Sequence, residues 1–178
     1  MGMNIAYTMT PGRGDTDLLL LKFAASVAAK GLRACGTVQI NALRQDAGPC
    51  DMSVKVLPDG PVLRISQPLG AGARVCRLDP AALEDAVGLV SSSLVHGADI
   101  LIVNKFGKHE AEGRGFRGAI ADALSMDIPV LVGLNALNKN EFEKFASDAA
   151  VALPPDEAAL LTWLEATVRA ANFVSMPR

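Results

Sequence analysis

Residues 99–118 read DILIVNKFGKHEAEGRGFRG. An apolar, β-branched run breaks abruptly into Asn104 and Lys105, followed by a loop dense in glycine and charge: Lys108, His109, Glu110, Glu112, Arg114 and Arg117. An uninterrupted apolar run of this kind predicts a central strand of a parallel sheet, covered on both faces. Its carboxyl end then opens onto the rim where open α/β sheets bind ligands.

Working outward, strand and helix patterns alternate. Residues 3–9 predict a strand stopped by Thr10-Pro11-Gly12-Arg13-Gly14, and residues 18–30 a helix closed by Gly31. Residues 33–40 supply a second strand, giving a βαβ unit with a right-handed crossover. Residues 51–67 predict a β-hairpin turning at Pro58-Asp59-Gly60, placed outside the main parallel sheet, with Pro61 marking an edge or a delayed second arm. Residues 74–78 add a short strand. Asp79-Pro80 then opens a helix with an N-cap acceptor and a proline at the first helical position, running to Gly97. After the central strand come a helix over 115–126, a buried strand over 129–134 and an amphipathic helix over 139–148 with Phe142 and Phe145 on one face. A short strand over 149–153 and a last helix from 155 or 156 complete the chain. The sum is one domain over residues 1–178, a three-layer α/β/α fold with about five parallel strands plus an inserted β-hairpin.

Composition narrows the partners. With 178 residues, 50% of them hydrophobic, the chain is long enough for a full core. Seventeen basic against 19 acidic side chains leave a net charge of -2, and aromatic content is 4%. Neither a cationic field nor stacking platforms are offered to nucleic acid. No apolar run is long enough to span a membrane and no leader pattern is present, so the expectation is a cytoplasmic protein. Cys35, Cys50 and Cys76 show no metal-binding or disulfide spacing, and no metal site is expected. Cys50 and Cys76 flank the hairpin and read as packing residues, soft ligands or a redox pair.

Strand, Gly-rich loop and helix at the start invite comparison with the phosphate loop G-x-x-x-x-G-K-[ST]. Aligned on Gly14 and Thr16, residues 9–16 read MTPGRGDT, with Met9 at the first glycine and Asp15 in place of the lysine. A carboxylate there meets phosphate charge with a repulsion of roughly 1 to 4 kcal/mol at ~4 Å, depending on solvation. The other reading is a tight βα turn with Asp15 or Thr16 as helix N-cap. At the end of the central strand, Asn104 and Lys105 stand where a magnesium-holding aspartate and a water-orienting glutamate are expected.

The order of these segments, with NKFGKHEAEGRGF, CRLDP and the Cys50-Asp51-Met52 tripeptide, resembles the bacterial family called domain of unknown function 2478 over nearly the whole chain. That family is in turn similar to the cancer-related nucleoside triphosphatases, in which a DE-x-G-x-ME sequence ends the equivalent strand. The resemblance implies a degenerate P-loop NTPase-like fold. Gly12, Gly14 and Thr16 match the phosphate loop, and Gly107 and Glu110 match the strand-end motif. Asp15, Asn104 and Lys105 depart from it. An association of relatives with molybdenum-related genes adds molybdate to the anions implied.

The ligand-binding candidates are therefore Gly12, Arg13, Gly14, Asp15, Thr16, Asn104, Lys105, Lys108 and Arg114, with Arg117 as a further cation. His109 and Glu110 are the candidate acid/base pair. Opposite charge changes at Asp15 and Lys105 predict a salt bridge across the cleft; alternatively Lys105 faces the phosphate itself. Three functions stay open. The first is binding of a phosphate-bearing molecule or small oxyanion without efficient nucleoside triphosphate hydrolysis. The second is a magnesium-dependent nucleotide phosphohydrolase using His109 or Glu110. The third is an interaction subunit whose hairpin edge meets a partner or a second copy.

Overall fold

Four consecutive residues, Ile100–Val103, are fully buried and form strand β5 of the computed structural model, which describes residues 4–12, 14–41, 52–67 and 77–174. Preceding elements are β1 (Ile5–Thr8), α1 (Asp15–Ala29), β2 (Ala34–Asn41), β3 (Met52–Leu57), β4 (Val62–Arg64) and α2 (Pro80–Leu94). After β5 come α3 (Lys108–Ala111), α4 (Arg117–Ser125), β6 (Val130–Gly133), α5 (Lys139–Ala146), β7 (Val151–Leu153) and α6 (Glu157–Val174). Among the described residues these strands make one seven-stranded sheet in the order β4-β3-β2-β5-β6-β1-β7.

The five strands β2, β5, β6, β1 and β7 are mutually parallel, as the buried apolar runs require. Alternation along β5 divides the core. Leu101 and Val103 pack with Ile5, Tyr7, Val130 and Val132 beneath α2, α4 and α5. Ile100 and Ile102 face the other way, with Ala6 and Leu131, against Leu20 and Phe23 of α1 and Leu160 and Leu164 of α6. The fold is therefore the expected α/β/α sandwich. Each fully buried aliphatic side chain contributes roughly 1.5–3 kcal/mol, so the carboxyl ends of β1, β5 and β6 are held rigidly at one rim.

The hairpin departs from expectation in its placement. It joins the main sheet, β3 pairing antiparallel with β2 from Gly36↔Leu57 to Asn41↔Met52, and β4 forming the edge beyond it. The cause lies in the place of β2 in the sheet: it ends the parallel set, with β5 on one side only. The free edge of β2 needs backbone partners, which β3 supplies. Pro61 sits just before β4, where the missing N–H is harmless. Of the strand expected over 74–78, only Arg77 and Leu78 lie within the described residues, and Leu78 bridges Ser66 in antiparallel fashion. Helix α2 begins as its sequence dictates, Asp79 accepting hydrogen bonds from Ala81 N (3.0 Å) and Ala82 N (3.2 Å) with Pro80 next to it. No helix among the described residues is long and apolar enough to cross a membrane.

Candidate functional site

Thr10 follows β1 by one residue and closes the Gly-rich loop on itself. Its hydroxyl lies 2.8 Å from that of Thr16 and donates to Gly12 O at 3.2 Å, while its backbone N–H donates to Thr16 Oγ1. Gly14 takes a left-handed conformation, φ 82°, at the N-cap of α1, which admits glycine at no steric cost. Neither Asp15 nor Thr16 is the N-cap, and no side chain caps this end. The first-turn N–H groups of α1 therefore face the rim without intrahelical partners. Asp15 folds back over the loop, its Oδ2 only 1.8 Å from where a Cβ on Gly12 would stand. Arg13 lies outside the described residues.

Across the rim, Asn104 is buried and joins three elements. Its Oδ1 accepts from Gln39 N at the end of β2 (2.9 Å), and its Nδ2 donates to Asp17 Oδ1 in the first turn of α1 (2.8 Å) and to Gln39 Oε1 (3.4 Å). Lys105 is exposed beside it. The salt bridge expected between Asp15 and Lys105 does not form; among the described residues no ion pair joins them. The two segments share one cleft, but Asp15 turns back over Gly12 while Lys105 stays exposed beside Asn104. The link made instead is Asp17 to Asn104. Thr10, Gly12, Gly14, Thr16, Asp17, Asn104, Lys105 and Asn135 surround a cleft of about 180 Å³.

Beyond Lys105 the loop is anchored at three points. Phe106 is fully buried, its ring edge-on to Phe142 at 5.2 Å, and its N–H donates to Gly133 O. Glu110 is buried, with Oε2 accepting from Gly107 N (2.9 Å) and Oε1 from Phe116 N (3.3 Å), so both carboxylate oxygens hold the loop's own backbone. His109 is buried, and its Nε2 lies 2.7 Å from Glu84 Oε1 of α2. The hydrogen bond from His109 holds the Glu84 carboxyl below its ordinary value; the Gly115 N–H at 2.9 Å acts in the same direction and partial burial opposes both.

The remaining cations are dispersed. Lys108 and Arg114 both turn to Glu112, at 3.7 Å and 2.5 Å, and Arg114 borders an open groove with Glu84 instead of the phosphate-loop cleft. Arg117 stacks over Phe145, 4.6 Å from its centroid. Among the described residues, no group of three or more His, Cys, Asp or Glu side chains is placed to hold a metal ion. Cys50 and Cys76 lie outside the described residues, and Cys35 is buried.

A rim built from a glycine-opened helix N-terminus facing an adjacent-but-one strand end belongs to a known lineage. The profile of the family described as "Protein of unknown function (DUF2478)" matches residues 5–163. The chain belongs to that family. Among solved structures, this DUF2478 chain is similar to the solution structure of a human cancer-related nucleoside triphosphatase, with a TM-score of 0.56 at 17% identity, covering 98% of each chain. That likeness shows a P-loop NTPase fold. Among curated proteins it is 40% identical over 132 residues to "Molybdenum import ATP-binding protein ModC 2" of Bradyrhizobium diazoefficiens. The match takes in 73% of this chain but only 14% of that protein.

Three residues that organise the DUF2478 site carry little signal in sequence. Asp17 is one of two acids in a helix's first turn, Glu84 reads as solvated helix surface, and Phe106 reads as a loop residue. Only the crossing of α1, α2 and β5 at one rim gives them partners.

Proposed function

We propose that the chain binds a phosphate-bearing ligand or small oxyanion at the cleft between residues 10–17 and Asn104–Lys105, without efficient nucleoside triphosphate hydrolysis. The observation that carries this reading is Asn104. A hydrolytic P-loop site needs a carboxylate at that strand end to hold magnesium through water. Here a neutral amide occupies the position and is spent on Gln39 and Asp17. Hydrogen-bond donors for an anion remain: the first-turn N–H groups of α1 and the Lys105 ammonium. Gly12 and Gly14 keep the backbone close to such a ligand, while Asp15 limits the charge it carries.

In this reading His109 and Glu110 are positioning residues that fix the loop carrying Lys105. Lys108 and Arg114, both turned to Glu112, act at longer range. The name of the relative in molybdenum import makes molybdate and tungstate the first oxyanions to test.

A thermal-shift panel tests the reading: nucleoside di- and triphosphates with and without magnesium, then phosphate, sulfate, molybdate and tungstate. A ligand at one hundred times its Kd adds about 2.7 kcal/mol of stability, well within detection. The expected result is stabilisation by an anion in the absence of magnesium, with no phosphate released from any nucleotide. Stabilisation and turnover that both require magnesium would overturn it in favour of a phosphohydrolase.

A further inference from the structure

A second cleft, of about 280 Å³, lies on the far side of Asn104 and Lys105 from the phosphate loop. One wall is apolar, made by Met52 and Val54 of β3, Ile65 after β4, Leu78, Leu83 of α2, and Phe116, while Thr37, Gln39 and His109 add polar groups to the lining. Val54, Ile65, Leu83 and Phe116 are buried, so this wall is part of the core and keeps its shape. Asn104 and Lys105 line this cleft and the phosphate-loop cleft alike.

Among the described residues, two lysines line the opening. Lys105 is exposed and joins no ion pair among the described residues, and Lys108 is 88% exposed, reaching Glu112 only at 3.7 Å. Glu110 is the carboxylate on the lining, and both its oxygens already accept backbone N–H groups. An apolar pocket with cations at its mouth suits an amphipathic anion. The volume is near the lower bound of ligand pockets, roughly 300–1,000 Å³, which fits one small ring system and excludes a dinucleotide.

We propose that this cleft receives the apolar ring of a small organic anion whose charged group is held at Lys105, on the wall shared with the phosphate-loop cleft. The inference rests on the reading of Lys105 as an anion-binding residue, and on nothing in the phosphate loop. It names the ligand class that the phosphate loop alone leaves open: a ring-bearing anion, with inorganic oxyanions reaching only one half of the site.

Amide-resolved NMR titration of the full chain with 2-naphthyl phosphate, 2-naphthol and inorganic phosphate tests it. The expected result is that 2-naphthyl phosphate shifts the amides of Val54, Ile65 and Phe116 and binds at least about tenfold more tightly than either half alone. Lys105→Ala is expected to weaken it by about tenfold. Met52→Trp, and Leu78→Trp as a second filling variant at another point of the wall, are expected to abolish the cleft shifts while retaining the folded spectrum. Overturning results are 2-naphthyl phosphate shifts confined to Gly12–Thr16, or a folded filling variant that binds as tightly as the parent. Inorganic phosphate shifting the Gly14 and Thr16 amides while 2-naphthyl phosphate leaves the second cleft unmoved would defeat this inference and spare the anion-binding proposal. Cleft shifts from 2-naphthyl phosphate with no site for inorganic phosphate would do the reverse.

Discussion

At the residue scale the site turns on Asn104, because a buried side chain with both ends bonded specifies the geometry around it. Asn104→Asp restores the carboxylate of a hydrolytic site but places an oxygen where Nδ2 now donates to Asp17 at 2.8 Å. A favourable contact becomes a like-charge one, and the expected cost is ~2 kcal/mol at neutral pH. Urea denaturation should show that loss shrinking as pH falls and one of the two carboxylates takes up a proton; an unchanged midpoint would remove Asn104 from its organising role. The position of Asn104 at the strand end is legible in sequence because the apolar run stops there. Its partners are not, because Asp17 and Gln39 approach it through crossover topology, which residue spacing does not encode. The same limit explains the expected pairing of Asp15 with Lys105: charge reversal in sequence is visible, but the turn of Asp15 back over Gly12 is not.

At the element scale, the loop after β5 is tied to α2 by the contact between His109 and Glu84. The Glu84 carboxyl is held below its ordinary value of 4.5, first by His109 and then by the Gly115 N–H. A group with a depressed folded pKa contributes stability that is present above its unfolded pKa and lost as pH falls through the folded one. Urea midpoints should therefore fall for the parent below about pH 4.5. Glu84→Gln should be less stable than the parent at neutral pH and converge with it in acid; parallel curves would refute the link. In the sheet, Gly36 of β2 has φ 113°, and a Cβ there would stand 1.9 Å from Ile102 O of β5. Gly36→Ala is accordingly expected to lose about 3 kcal/mol or more, or to prevent folding, as read by thermal denaturation. Helices α1, α2 and α5 and the five parallel strands were readable from periodicity, caps and glycine stops. The hairpin's two arms were readable too, but its docking on β2 depends on β2 ending the parallel set, a sheet order that residue spacing does not encode.

At the scale of the whole molecule, the sheet brings the glycine loop after β1 and the strand end after β5 to one cleft, with β6 between their strands. There Asn104 Nδ2 donates to Asp17 Oδ1, tying the strand end to the first turn of α1. In the proposed reading, anion affinity depends on the loop and turnover on the strand end, so substitutions can address the two separately. Asp15 is exposed and folded over Gly12 at the mouth of the cleft, so Asp15→Lys reverses charge at the loop without disturbing the core. Affinity for inorganic phosphate is expected to rise by about tenfold or more at low salt. Screening should erode much of that gain toward physiological ionic strength, where the Debye length is about 8 Å. Phosphate release from ATP with magnesium should stay at background in the same variant, because the strand end still carries Asn104. Titration calorimetry paired with a phosphate-release assay separates the outcomes. Higher affinity without turnover fits a scaffold that retains the cradle of its fold and has given up the magnesium site. Turnover from Asp15→Lys alone would mean that the loop lysine was the one missing part, and that the amide at the end of β5 is no obstacle to hydrolysis.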